Sequence, residues 1–453
     1  MTIRKKFVAA AIAAAGVLGA APVARAESAT GSGATFPQNF LAAATVAFNA
    51  ATGHNVTYAN PGGGSSKGAS DFRAGLTDFG GSDSAVSASS QPSFDWVYVP
   101  YLAGSIAVAY RLDELGGATL SLSPATLNGI FGGSITKWND PSIVNDLKTN
   151  PTWANTKKKT DLKGATALIA TTGPGNVNIT VSAIPSVLKS YKGKAIEITD
   201  LATKKVLKKG VMSKGEVSIG APGNVKSKLS VKLGGKEIAV FEEVKVTMPD
   251  KPIVVVYRSD GSGTTNNFCS YLKQAANTDW AVNNAFTSCI PGGSAKIASY
   301  GSRFQGQNGS ANVSNYISDN SGTIGYTEVA FVTDATRAAK GMKAANIRNA
   351  AGKYVAPTAK AAGDFLSGSQ FDAKGFATFN YKQTTNTSAY PIVAITYGLA
   401  KTAKSSKNAV VADFFKWVLD TYAPANAEAL GYVPLAGKAR DIALAQVAKV
   451  NSK

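Results

Sequence analysis

At 453 residues, 44% hydrophobic and 17% charged, the chain is too long for one ordinary core and too apolar for a disordered one, so two or three globular domains are expected. Its 47 basic and 28 acidic side chains leave a net charge of +19, which favours anionic partners without choosing among nucleic acid, an acidic membrane surface and a small anion. A single histidine, His54, leaves no basis for a histidine-built metal site or a Ser-His-Asp triad.

In chain order, "MTIRKK" is a basic leader, the apolar run to Val23 is short and alanine-rich, and Ala24-Arg25-Ala26 has the small-residue pattern of a cleavage site. Residues 1–26 therefore read as a signal peptide cleaved after Ala26, and the protein as periplasmic or secreted. No cysteine follows the apolar run, which argues against a lipid anchor.

Next, "SATGSGATFPQNFLAAATVAFNAATG" predicts an extended segment, a glycine turn and a helix, with Pro37 at the first helical position and Gly53 as its stop. Phe40, Leu41, Ala44, Val46, Ala47 and Phe48 form its apolar stripe. "NVTYANP" reads as a strand, "GGGSSKGASDFRAG" as a turn opening a helix, and "FDWVYVPYLAGSIAVAYRL" as two apolar strands. Strand, turn and helix alternate, which argues an α/β sandwich.

The composition then changes. Residues 152–250 are lysine-rich, lack arginine and alternate short valine and isoleucine runs with turn signals, so an inserted β-sandwich or barrel is expected. The lysines suit either a solvated face or docking on an anionic envelope surface. The α/β pattern resumes at Pro252 and ends on the amphipathic "VVADFFKWVLDTYA". Only two cysteines occur, Cys269 and Cys289. In an oxidising compartment a disulfide between them is expected, worth about 3 kcal/mol, and the alternative is a pair of buried thiols.

Three turns share one design: "GSGATFP" (31–37), "GGGSSKG" (62–68) and "DGSGTTN" (260–266). Each sets glycine and then Ser or Thr at an expected helix N-terminus. Unpaired N–H groups and the helix dipole make such an end a receptor for an anion. Arg258, beside the third turn, adds a planar fork of donors. None of the turns has the spacing of a P-loop, a nucleophile elbow or a dinucleotide fingerprint. A phosphate-ester hydrolase would need a nucleophile with its base, or a metal cage, and the motifs offer neither. No enzyme activity, cofactor or metal is expected.

"GSGATFP", "GGSS", "FGGSD" and "RSDGSGTT", in that order, resemble the periplasmic phosphate-binding subunit of bacterial ABC importers. "LNGIFGGSITKWND", "GTIGYTEVA", "AYPIVAITY" and "FFKWVL" are similar to later landmarks of that family. The resemblance covers nearly all of the chain after the leader except about 152–250. It implies a two-lobed clamshell of the type II periplasmic-binding-protein kind, which the small all-β domain read above from composition would interrupt. The lobes would be 27–108 plus 394–453, and 109–151 plus 251–393. It further implies inorganic phosphate and a membrane permease as partners, and no nucleic acid. A secreted phosphate-binding adhesion protein is the other reading.

Carried over by motif, the resemblance places the ligand shell on Thr35, the Phe36 N–H, Ser65, Asp83, Arg258, Ser262, Gly263 and Thr264. Asp260 would orient Arg258 from behind. Lys67 stands where the family usually has glycine, which leaves open whether its ammonium reaches the site. Asp83 would demand a ligand that donates a proton. Hydrogen phosphate has one and sulfate does not, a difference of several kcal/mol, on the order of 10⁴-fold in affinity.

Overall fold

The computed structural model describes residues 26–157, 162–173, 176–222 and 228–453. The expected signal peptide therefore lies outside the described residues, apart from Ala26. Among the described residues no helix is long and apolar enough to cross a membrane.

The chain opens as β1 (Ser28–Gly33), α1 (Gln38–Thr52), β2 (Asn55–Gly63), α2 (Ser65–Arg73) and β3 (Phe79–Ser82). Gly53 ends α1 in the left-handed conformation, φ 76°, which glycine adopts without Cβ strain. The helix buries Phe40, Leu41, Ala44 and Phe48, whereas Val46, expected in the stripe, is 68% exposed. Two positions from Phe48, it falls on the opposite face of a 3.6-residue turn.

The two strands expected over 94–112 are one: β4 runs 16 residues from Trp96 to Arg111. Pro100 lies beside a bulge in it: Pro100 is in register with Tyr397 of the last long strand and Leu102 with Thr396, which leaves Tyr101 as the extra residue. A bulge disrupts the ladder locally and so tolerates a proline, which cannot donate to it. Short β5 (Ser121–Leu122), α3 (Pro124–Phe131) and α4 (Pro141–Thr149) follow.

The insertion comprises β6 (Trp153–Asn155), β7 (Ala165–Gly173), β8 (Asn176–Ala183), α5 (Pro185–Tyr191), β9 (Ala195–Asp200), β10 (Val206–Val211), β11 (Glu216–Pro222), β12 (Leu229–Leu233) and β13 (Lys236–Glu243). It folds as a five-stranded sheet, β10-β9-β12-β13-β6, and a three-stranded sheet, β11-β8-β7. Alternate residues such as Ile179, Val181, Ile196, Ile198 and Val231 fill a core of their own. It is not all-β, because α5 packs Val187 and Leu188 on that core. Met248, with Val244 and Val246, belongs instead to the main core.

The main body resumes with β14 (Val254–Arg258), α6 (Gly263–Ala275), β15 (Phe304–Gln307), α7 (Gly309–Asp319), β16 (Thr323–Glu328), β17 (Val393–Lys401) and α8 (Ser406–Trp417). Among the described residues one sheet runs β15-β14-β16-β4-β17-β3-β1-β2, with Lys343–Ala344 also paired to β4. β4 serves both halves of it. Trp96 to Ser105 pair with β17, and Ile106 to Arg111 pair with β16. β1, β2 and β3 are mutually parallel, as are β14, β15 and β16, so the carboxyl ends of each set gather on one side. In open α/β sheets that edge is where ligand-binding turns collect.

The expected Cys269–Cys289 disulfide is not formed. Both residues are buried free thiols, and Cys289 donates its S–H to the Asn283 carbonyl at 3.1 Å. Burial, then the neighbouring Cys289, push the Cys269 thiol well above its ordinary range. The thiolate that disulfide chemistry requires is thereby disfavoured.

Candidate functional site

Four strand-to-helix turns converge between the two halves of the sheet. β1 leads through Thr35 and Phe36 into α1, β2 through Gly64 into α2, β14 through Asp260 and Ser262 into α6, and β15 through Asn308 into α7. Thr35, Ser65, Asp83, Arg258, Ser262 and Thr264 are all buried, Asp83 being the most exposed at 3%. Small residues permit this closeness. A Cβ on Gly263 would stand 2.5 Å from Ser65 Oγ and 2.7 Å from Asp83 Cβ.

Arg258 ends β14 with its guanidinium edge on Asp260. Nε donates to Oδ1 at 2.6 Å and Nη2 pairs with Oδ2. Asp260 Oδ1 also accepts the Gly309 N–H at 2.9 Å, tying the third turn to the fourth. Burial works against ionisation of Asp260, but the guanidinium and these hydrogen bonds outweigh it and hold the carboxyl below its usual range. The remaining Arg258 edge, Nη1, donates to Ser310 Oγ at 3.0 Å.

Ser310 is the junction of the cluster. Its Oγ lies 2.9 Å from Thr35 Oγ1 and donates to Glu328 Oε1 at 2.8 Å, while its N–H donates to Thr35 Oγ1 at 3.3 Å. Glu328, at the end of β16, also accepts from Thr264 Oγ1 at 3.4 Å and Thr327 Oγ1 at 3.0 Å. Burial pushes its carboxyl up to about 7, against the pull of Arg258.

Asp83 follows β3. Its N–H donates to Ser65 Oγ at 3.1 Å, and the same oxygen accepts the Gly263 N–H at 3.0 Å. Asn267 Nδ2 holds the Asp83 carbonyl at 2.7 Å. The carboxylate is poorly satisfied. Oδ2 has only a long 3.5 Å contact with Ser65 Oγ, and buried Oδ1 has no hydrogen-bond partner. Burial raises the group to about 7, the Glu328 charge adds to the rise, and Arg258 and the nearby Thr396 and Ser65 hydroxyls oppose it.

Seven of the eight residues named from sequence thus meet through side chains or adjoining backbone. Phe36 enters differently, with its ring against Tyr432 and its carbonyl accepting the Tyr432 hydroxyl at 2.8 Å. Ser262 caps α6, its Oγ accepting the Thr265 N–H at 3.2 Å. Lys67 turns its half-exposed ammonium to Asp71 at 2.5 Å. Sequence reasoning missed Ser310, Glu328 and Asn267. "NGS" (308–310) repeats the glycine-hydroxyl turn after a strand, and Glu328 is the sole charge in "GTIGYTEVA". These local signals mark the two residues but not the distant partners that give them their roles.

Chemically the cluster is one guanidinium, three carboxylates, several hydroxyls and the N-termini of four helices, sealed from water. Such a site suits a small anion only if the ligand brings its own proton. Among the described residues no group of His, Cys, Asp or Glu has the arrangement to hold a metal.

A family model described as the PBP superfamily domain matches residues 19–245 and 238–421. The phosphate-binding protein PstS of Xylella fastidiosa strain 9a5c is 25% identical over 411 residues, 90% of this chain and 81% of its own. That of Haemophilus influenzae strain Rd is 25% identical over 422 residues, 92% of each. Among solved structures, a DING protein superposes with a TM-score of 0.55 at 19% identity, over 92% of this chain and 93% of its own. A high affinity periplasmic phosphate-binding protein, PfluDING, bound with phosphate, superposes with 0.54 at 19% over the same shares. These structures have the mixed α/β, two-lobed architecture seen here. Matched by the family model over most of its length, the chain belongs to the PBP superfamily.

Proposed function

We propose that this protein binds inorganic phosphate between its two lobes and delivers it to the membrane permease of a phosphate ABC importer. In this reading it works in the periplasm after loss of residues 1–26. The lobes are 27–108 plus 394–453, and 109–151 plus 251–393, joined where β4 passes from one sheet half to the other. Relatives along nine-tenths of the chain carry the name phosphate-binding protein.

The observation that carries the reading is the unpartnered Asp83 oxygen. Arg258 is already neutralised by Asp260, so the site attracts its ligand less by net charge than by matched donors and acceptors. Thr35, Ser65, Arg258, Ser262 and Thr264, with the N–H groups of Phe36 and Gly263, would surround the oxyanion when the turns part to admit it. Asp83 would accept the proton that hydrogen phosphate carries. A fully ionised oxyanion would instead set one acceptor against another in a dry site.

Titration calorimetry with phosphate, arsenate and sulfate tests this. Phosphate and arsenate, which share shape and protonation, should bind, and sulfate should not. Equal binding of sulfate and phosphate would overturn it.

A further inference from the structure

We propose that Glu328, acting through Ser310, is a positioning residue that decides which way the Thr35 hydroxyl points, and that the site takes up one proton onto Glu328 when phosphate enters. The inference rests on the reading of the cluster as a phosphate clamp.

The argument is a count of protons on a chain of oxygens. Ser310 Oγ has one proton to give and two lone pairs to receive with. Arg258 Nη1 can only donate to it. While Glu328 is ionised, the Ser310 proton goes to Glu328 Oε1, 2.8 Å away. The contact between Thr35 and Ser310, at 2.9 Å, is then made by the Thr35 proton. Thr35 also accepts the Ser310 N–H. Its hydroxyl is thus committed inward, and what it turns toward an anion is a lone pair. Thr264, whose hydroxyl faces Glu328 at 3.4 Å, is drawn the same way.

A proton on Glu328 reverses the chain. Glu328 then donates to Ser310, Ser310 to Thr35, and Thr35 is free to donate to the anion. The proton comes from solvent and no bond between heavy atoms changes. Charge drives the reversal in the same direction. The groups facing Glu328 are Arg258 from β14, Asp83 from the end of β3, Tyr432 beside Phe36, and the hydroxyls of Thr264, Ser310 and Thr327. Arg258 is the cation among these, and Asp260 already offsets it. An entering dianion would leave Glu328 facing a further like charge, which favours its neutral form. Burial has already brought the group to about 7, within reach of such a push.

Calorimetry of the protein with inorganic phosphate at about pH 8, in two buffers of different ionisation enthalpy, counts the protons. Wild type should take up about one per phosphate, and its affinity should fall by up to about tenfold per pH unit above neutrality. In Glu328→Gln the amide can donate to Ser310 permanently, so uptake should drop to near zero while phosphate still binds. Ser310→Ala keeps Glu328 but cuts the chain, and uptake should fall below about half. Phosphate binding with no proton uptake in wild type would overturn the inference without needing any variant. So would undiminished uptake in either variant, the Ser310→Ala case by showing that charge acts without the hydroxyl chain. If wild type gives no phosphate binding at any pH, the clamp itself fails and the inference goes with it.

Discussion

Arg258 holds Asp260 with two nitrogens and Ser310 with the third. Arg258→Ala would remove the cation and leave Asp260 and Glu328 buried without it, so phosphate binding should weaken by about 2–5 kcal/mol. Calorimetry reads this directly, and unchanged affinity would dislodge Arg258 from the site. Asp83→Asn has the opposite character. An amide can offer an N–H where the carboxylate offered only an acceptor, so phosphate binding should survive while sulfate binding rises by orders of magnitude from a very low baseline. A variant that excludes sulfate as firmly as wild type would place selectivity elsewhere. Asp83 and Glu328 also set a pH dependence of stability. Their carboxyls rise from ordinary values of 3.8 and 4.5 to about 7 in the fold. Between these limits the folded protein holds more protons than the unfolded chain. Their contribution is therefore fully present below about pH 4, is lost as pH rises to about 7, and is level above that. The depressed carboxyls of Asp71, Asp113 and Asp260 act in the opposite sense, and only at lower pH. The phosphate-free protein should thus resist urea better at about pH 5 than at about pH 8, and Asp83→Asn should narrow the gap.

At the scale of elements, the site is made by helix starts that approach until only glycine fits. Gly263→Ala would drive a methyl into Ser65 and Asp83 and hold α6 off α2. Its effect should be a loss of at least tenfold in phosphate affinity, about 1.4 kcal/mol, with thermal stability little changed if the turns simply part. Wild-type affinity in that variant would show that closure at this contact is not needed for binding. The turns were legible in the sequence because each is local: glycine, a hydroxyl and the first residues of a helix stand within seven positions. Ser310 and Glu328 were not singled out, because their roles come from Arg258, Thr35 and Thr264, which lie far from them in the chain and meet them only when the sheet assembles. The single strand β4 was read as two for a related reason. Whether a proline ends a strand or lies beside a bulge depends on the partner strand, here β17, nearly 300 residues downstream. Val46 was misplaced because an alanine-rich helix gives its apolar face little contrast. The cysteine pair was paired on compartment and spacing, which leave out burial.

For the whole molecule, the insertion stands on a narrow stem. β6 and β13 pair at Trp153 with Glu243, and the Val244 N–H bonds the Thr152 carbonyl at 2.9 Å. Ends this close make removal geometrically simple. Replacing 154–242 by a short Gly-Ser bridge, while keeping Val244, Val246 and Met248 for the main core, should leave phosphate affinity within a few-fold. The lysines lost with it should weaken association with anionic vesicles at low salt, a difference that salt should erase. Equal vesicle binding by both proteins would remove the docking role.

The place of β17 in the sheet has a consequence for how the molecule is made. This strand, residues 393–401, lies between β4 and β3. The early β1-β2-β3 layer therefore has no link to β4 until some four hundred residues have been synthesised. Contacts this distant in sequence form late and slowly. Until then the early β1-β2-β3 layer keeps an open edge, and Thr35 and Asp83 are not held beside Arg258. Binding competence would then arrive with one of the last strands to be made, the one that brings the two halves of the site together.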